Sequence, residues 1–207
     1  LSAVIPKIQA AIATIPLPAG YSLTLGGQYV EQRVAFAEFA EVLAVALTLV
    51  VLVLVATFES FRLPAVVLAT VPLAPLGATL ALLATGTPVN VASFMGALLL
   101  VGIVVRNGIL LVDSANRQRA TGANVRDSLL AAGSERLRPI LMTAFATVGG
   151  LAPLAIGFGA GSEMERPLAI TVIGGLAFAT ACSLVVVPVL YAVLARNAEQ
   201  SASSRSA

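Results

Sequence analysis

The chain has 207 residues, of which 58% are hydrophobic and only 11% are charged. Soluble domains carry about 25% charged residues, so this composition excludes an ordinary soluble domain and indicates a membrane protein. With no histidine and one cysteine, the sequence supports neither a disulfide nor a common zinc or haem site, and we expect no cofactor, metal site or nucleic-acid partner.

The first 28 residues differ from the rest of the chain. Residues 3–15 predict a short helix, since isoleucines recur in them at helical spacing, and residues 21–25 alternate polar and apolar side chains like a strand. This segment is too short for a domain, and we interpret residues 1–28 as the end of a periplasmic α/β domain. Because the chain starts at Leu1, we also expect it to be truncated.

Long stretches without any charge dominate the remainder. Roughly 20 apolar residues cross a bilayer core, and a chain in lipid must satisfy its backbone hydrogen bonds internally, so these stretches predict helices. A very apolar soluble core is disfavoured by their length. The predicted class is an all-α membrane protein with five transmembrane helices in a domain of residues 29–198. Their expected ranges are about 42–58, 63–84, 90–113, 139–156 and 168–195.

The segments between the spans predict further features. Pro72 and Pro75 are expected to kink the second span. Residues 122–136 have helical spacing of apolar side chains and predict an amphipathic helix on the inner membrane surface. The serine-rich tail, 199–207, predicts a disordered end.

Basic residues are distributed unequally between the two sides of the predicted topology. One side holds three, Lys7, Arg33 and Arg166, whereas the other holds eight. Basic residues mark the cytoplasmic face. We therefore predict an inner-membrane protein with a periplasmic N-terminus and a cytoplasmic C-terminus. The eight are Arg62, Arg117, Arg119, Arg126, Arg136, Arg138, Arg196 and Arg205.

Arg106 is the most informative residue, because it lies inside a predicted span. It is seven residues, or ~10 Å of helix, from Asp113 at the end of that span. A charge at such depth costs at least ~2.5 kcal/mol. Snorkelling toward the surface is one interpretation. The other is that Arg106 faces a buried carboxylate outside this chain, with Asn107, Asp113 and Thr147 as candidate accessory residues.

Arg136 and Thr143 form a second candidate pair. Their spacing of seven places them on one helical face, with Thr147 one turn further along. Such hydroxyls relay protons or bond the preceding carbonyls, and for Thr147 we expect the second. For Arg136, anchoring at the cytoplasmic face as an ordinary positive-inside residue is an equal alternative. No phosphate-binding loop, Cys/His cluster or carboxylate pair is present in the sequence, so we expect no enzyme activity.

Four sequence runs together resemble the resistance–nodulation–division family of efflux transporters. They are residues 58–64, 102–113, 136–143 and 159–163. The resemblance covers nearly the whole chain and implies spans eight to twelve of a twelve-span permease. It further implies a homotrimer in the lipid membrane, with a periplasmic adaptor and an outer-membrane channel.

The resemblance also implies roles for three residues. In the family, a proton relay combines an aspartate pair on span four with a basic residue on span ten and an arginine and a threonine on span eleven. Arg106, Arg136 and Thr143 match the last three. Position 106 is usually lysine in the drug-exporting branch, and arginine is harder to deprotonate. We therefore expect Arg106 to be a fixed counter-charge, and we expect this chain alone not to transport.

Three kinds of function compete. The first is secondary active export of drugs or other small organic molecules in exchange for protons, with heavy-metal export as its alternative. Arg106 favours drugs, whereas residues 165–169 and 172–175 favour the metal branch. The second is a protein-translocation accessory of the SecDF-like type, which the run 136–143 disfavours. The third is a membrane anchor without transport, which a buried charge at Arg106 disfavours.

Overall fold

Helices account for nearly all of the part of the chain that the structure, a computed structural model, describes: residues 8, 10–12, 18, 28–159 and 161–203. No strand occurs among those residues. Residues 8 and 10–12 are helical, as predicted for 3–15, and the strand predicted at 21–25 lies outside the described residues. The helices are α1 (Gln28–Phe58), α2 (Arg62–Leu68), α3 (Leu73–Thr85), α4 (Val91–Ala120), α5 (Val125–Ile156) and α6 (Ser162–Ser203).

Five segments are long and apolar enough to cross a membrane, which confirms the predicted all-α membrane protein. They are Val34–Phe58, Leu63–Thr85, Val91–Ala120, Val125–Ile156 and Ser162–Ala195. The chain divides into two units, residues 1–41 and residues 42–207. The packing described below is that of the second unit.

The second span is broken in two at Pro72, as the sequence predicted. α2 ends at Leu68 and α3 begins at Leu73, because proline has no N–H and its ring clashes with the carbonyl four residues earlier. The backbone N–H groups of Thr70 and Leu73 bond the carbonyls three residues before them, at 3.0 and 3.1 Å. The break therefore leaves these groups satisfied. Pro75 lies in the first turn of α3, where proline is tolerated.

Two predicted boundaries are wrong. The interfacial helix expected at 122–136 and the span expected at 139–156 form one helix, α5, capped by the Asn124 side chain, which accepts from the Asp127 N–H at 2.9 Å. No turn-forming sequence separates the two segments, and Pro139 is accommodated inside the helix. Residues 199–203, predicted to be disordered, continue α6, since no proline or glycine interrupts them.

α4 and α6 form the centre of the second unit. α6 contacts α2, α3, α4 and α5, and α4 contacts α2, α3, α5 and α6. Glycines permit the close approach of α3 and α6: a Cβ atom at Gly174 would overlap the Cβ of Ala81, and one at Gly175 would lie 3.0 Å from the carbonyl oxygen of Ala74. The small residues thus hold α6 against α3 and fix the position of α4 beside them.

Candidate functional site

Arg106 lies on a face of α4 that the other described helices do not cover. Met95, Leu99, Gly102 and Arg106 are all exposed and recur at spacings of four, three and four residues, which places them in one stripe along the helix. Gly108, on the opposite side of the helix, packs against Val67 of α2. Arg106 therefore points away from the bundle that α2, α3 and α6 build around α4.

Arg106 has no counter-charge among the described residues, since no hydrogen bond or ion pair joins it to them. Asp113, the nearest carboxylate along α4, pairs instead with Arg117, at 2.8 Å between Oδ2 and the guanidinium. Asn107, a candidate accessory residue like Asp113, is buried, with 7% of its surface exposed, whereas Arg106 is exposed. Neither Asn107 nor Asp113 therefore forms a hydrogen bond or ion pair with the Arg106 side chain, which stays unpaired among the described residues.

Arg136 belongs to a small polar cluster between α4 and α5. Its guanidinium lies 3.7 Å from Oε1 of Glu135, and Oε2 of Glu135 accepts a 2.7 Å hydrogen bond from the buried Ser114 hydroxyl of α4. The Nε atom of Arg136 is buried and has no hydrogen-bond partner among the described residues. The Ser114–Glu135 hydrogen bond therefore ties α5 to α4, and the buried Nε donor of Arg136 is left unused.

Ser114 and Glu135 are residues that the sequence analysis missed. A signal for them exists: each adjoins a candidate residue, Asp113 or Arg136, at the same end of two consecutive spans. Consecutive helices run in opposite directions, so the polar residues after one span and before the next meet at the same level. Searching for such pairs across the 121–124 turn would have found them.

Thr143 and Thr147 both bond to their own helix. The Thr143 hydroxyl donates to the Pro139 carbonyl at 2.7 Å, and the Thr147 hydroxyl donates to the Thr143 carbonyl at 2.8 Å. Backbone bonding was expected for Thr147. Thr143 is exposed, on the same helical face as Arg136. No hydrogen bond or ion pair joins Arg106 to Arg136 or Thr143 in the described chain, so a polar groove shared by the three stays a prediction.

Polar residues also meet at both ends of the bundle. At one end, the Tyr191 hydroxyl lies 3.2 Å from Oδ1 of Asn116, beside a cavity of about 140 Å³ that Arg119 also lines. At the other end, Glu163 and Arg166 line a cavity of about 310 Å³, and Nε of Arg166 donates to the Ala155 carbonyl at 3.1 Å. The apolar middle of the bundle therefore separates two polar ends, as a membrane-spanning protein requires.

Comparison with known proteins identifies the chain's family. Residues 1–195 match the AcrB/AcrD/AcrF family. The chain belongs to this family of resistance–nodulation–division transporters. It is 40% identical over 197 residues to the swarming motility protein SwrC of Bacillus subtilis (strain 168), covering 95% of this chain. It is 36% identical over 202 residues to the cobalt-zinc-cadmium resistance protein CzcA of Cupriavidus metallidurans, covering 97% of this chain.

Solved structures agree with the sequence relatives. A crystal structure of a heavy metal efflux pump superimposes with a TM-score of 0.77 at 35% identity, over 95% of this chain. A second crystal form gives a TM-score of 0.74 at 36% identity. The chain spans only 19% of the length of these relatives and structures. It is therefore a multi-pass membrane segment corresponding to about a fifth of an AcrB/AcrD/AcrF-family permease.

Proposed function

We propose that this chain supplies part of the proton-coupling membrane domain of an efflux permease, a secondary active transporter that exchanges its substrate for protons. The observation that carries the proposal is Arg106, a charge midway along α4, on a face that no described helix covers. By similarity to the family, the chain corresponds to spans eight to twelve. The remaining spans would contribute the carboxylates that face Arg106, and the proton gradient would be the only energy source.

The proposed mechanism follows from the Coulomb attraction between Arg106 and such a carboxylate. The positive charge favours the ionised form of the carboxyl and lowers its affinity for protons. Proton entry neutralises the carboxyl and weakens the pair, which frees α4 to shift relative to the helices that it faces. Because arginine stays charged at any physiological pH, Arg106 holds the carboxylate without carrying the proton. Arg136, with its unused Nε donor, and the Thr143 hydroxyl would lie along the proton's path.

Substitution of Arg106 in the full-length permease tests this proposal. In reconstituted vesicles, Arg106→Ala should abolish proton-driven efflux, because the unpaired buried carboxyl then stays protonated and the cycle stalls. Arg106→Lys keeps the charge and should retain part of the transport. Arg138→Ala is the matched control, since Arg138 is an exposed arginine with no described ion pair. Wild-type efflux by Arg106→Ala at equal protein levels would mean that the arginine only anchors the helix.

Two substrate classes are proposed for the whole permease. Small organic molecules, drugs among them, are favoured by the basic residue at position 106. Heavy-metal cations are the second candidate, because one relative is named for cobalt, zinc and cadmium resistance and the similar solved structures are of a heavy metal efflux pump. Vesicles loaded with Zn²⁺ or with a fluorescent organic cation distinguish the two. Export of Zn²⁺ alone would contradict the first candidate.

We further propose an inner-membrane orientation with the N-terminus in the periplasm, in a homotrimer with a periplasmic adaptor and an outer-membrane channel. The 121–124 turn lies among the basic residues and would be cytoplasmic. Thr121 and Phe158 are both exposed, and they lie in the turns before and after α5, at opposite ends of that helix. Single cysteines at these two positions, with Cys182 replaced by alanine, report the topology. A membrane-impermeant maleimide added to intact cells should label position 158 and not 121. The opposite pattern would reverse the orientation.

A further inference from the structure

Three carboxylates lie on α4 and α5, the two helices that carry the proposed proton path: Asp113, Asp127 and Glu135. Asp113 is paired with Arg117 inside α4, and Asp127 lies in the first turn of α5. Glu135 differs from both because it joins the two helices, with its Oε2 atom accepting a 2.7 Å hydrogen bond from the Ser114 hydroxyl. Its carboxylate is thus the one that contacts both helices of the path in the described chain.

The contact between the two helices lies at a defined level. Ser114 follows Arg106 by eight residues on α4, and Glu135 precedes Thr143 by eight residues on α5, which is ~12 Å of helix in each case. Both displacements run toward the 121–124 turn, since that turn joins the end of α4 to the start of α5. A proton that leaves the proposed path toward the side of this turn therefore passes the level of Glu135.

The two oxygens of the Glu135 carboxylate have different surroundings. Oε2 is held by the hydroxyl of Ser114, a residue with only 2% of its surface exposed. Oε1 lies 3.7 Å from the Arg136 guanidinium, too far for a hydrogen bond, and accepts none from any described residue. Because 53% of the side chain is exposed, water reaches it. Oε1 is thus a free oxygen, anchored through its partner atom and open to water.

We propose that Glu135 releases protons from the path to the water on the side of the 121–124 turn. This inference rests on the proposed function, because it requires protons to move along α4 and α5. A proton carried by water past Arg136 forms an O–H bond with Oε1 and neutralises the carboxyl. The O–H bond breaks when the proton passes to water on the exposed side, which restores the carboxylate and consumes nothing else.

The other charged groups near this level do not offer the same step. Arg136 is the nearest charge on α5, and Arg138 follows it without a described ion pair. Both arginines stay charged at any physiological pH. On α4, Asp113 is paired with Arg117, and residues 167–195 of α6 carry no charge. A proton that reaches this level therefore has the free oxygen of the anchored carboxylate as its acceptor.

Glu135→Gln separates proton exchange from helix contact. The glutamine amide oxygen still accepts the Ser114 hydrogen bond, whereas the amide cannot replace a carboxylate as a proton carrier. In vesicles with full-length permease at low buffer concentration, the maximal efflux rate should fall roughly a hundredfold, the lower end of what a positioned proton-transfer group contributes. The KM for the exported substrate should not change. Glu135→Asp keeps a carboxylate and should retain part of the rate. Asp127→Asn, the same change elsewhere on α5, should have no effect.

A membrane-impermeant buffer gives a measurement that a purely structural role would not affect. At fixed pH and ionic strength, more of the sulfonate buffer MES on the face of the 121–124 turn should restore efflux by Glu135→Gln, because the buffer takes up the proton instead. The wild type should not respond. Glu135→Ala, which leaves space beside Ser114, is the second variant if Glu135→Gln does not accumulate. Wild-type efflux by the variant, or slow efflux that MES restores from neither face, would overturn the proposal.

Arg106→Ala in the same vesicles distinguishes this inference from the proposed function. Its loss of efflux should not respond to MES, because Arg106 acts before the proton is released. Lost efflux in Arg106→Ala together with wild-type efflux in Glu135→Gln would contradict the role of Glu135 alone. Wild-type efflux in Arg106→Ala together with slow, MES-restored efflux in Glu135→Gln would contradict the role of Arg106 and leave proton release at Glu135 supported.

Discussion

The central helices and the outer helices of the bundle differ in how much of their surface the rest of the described chain covers. Half of the most apolar stretch of α4 and of α6 is buried, against 6% for α1 and α5. α1 exposes Val45, Leu49 and Leu52 on one side, each with more than half of its surface uncovered. Exposed leucine and valine are stable in lipid, so this face of α1 needs no protein partner to lie in a membrane.

α4 is a partial exception to this difference between covered central helices and open outer helices. α4 is a central helix, yet one of its faces is as open as the surface of α1, and that face carries a charge. Apolar side chains are satisfied by lipid, whereas Arg106 is not. Burial alone therefore does not mark the functional face of this bundle; an uncovered charge at mid-span does. The predictions below test whether the covered surfaces determine stability and the open ones determine transport.

The largest effect on stability is expected where α3 and α6 touch. Gly174→Leu places a side chain where even a Cβ atom would overlap Ala81, and overpacking of this kind costs about 2–3 kcal/mol. Denaturant unfolding of the full-length permease in micelles measures the change. Gly149→Leu, on the open surface of α5, should stay within about 0.5 kcal/mol of the wild type. Similar losses for both variants would mean that α5 is packed as tightly as α6.

The bundle also shows what the sequence could predict and what it could not. The spans and the break at Pro72 follow from hydrophobicity and local backbone rules, which need no knowledge of neighbouring helices. The continuity of α5 was missed, because charged residues at 126–138 looked like the end of a span although nothing in them stops a helix. The direction of Arg106 depends on which helices flank α4, which periodicity along a single helix does not specify.

A smaller effect is expected at the polar link between α4 and α5. Ser114→Ala removes the 2.7 Å hydrogen bond to Glu135, and we expect a loss of about 1 kcal/mol, because the carboxylate is half exposed and regains water. The same unfolding measurement applies. Ser134→Ala is the control, since the Ser134 hydroxyl bonds only the Ala131 carbonyl of its own helix. An equal loss in both variants would show that the link between the helices adds nothing to stability.

The smallest effect on stability, combined with a clear effect on transport, is expected at Thr143. Thr143→Val keeps the shape of the side chain and removes a hydroxyl that bonds only its own helix, so unfolding should change by less than about 0.5 kcal/mol. If the hydroxyl passes protons to or from Arg106's carboxylate partner, losing that hydrogen bond should slow proton-driven efflux about tenfold. Thr143→Ser keeps the hydroxyl and should retain most of the activity.

Thr147→Val is the matched comparison, because Thr147 makes the same kind of bond one turn along the same helix. If only Thr143→Val slows efflux, the open face of α5 near Arg136 has a role in proton transfer that stability does not reveal. Equal slowing in both variants would point to helix bending, since serine and threonine bonded to a preceding carbonyl bend helices. Unchanged efflux in Thr143→Val would leave that face of α5 with lipid contact as its sole role, like the exposed side of α1.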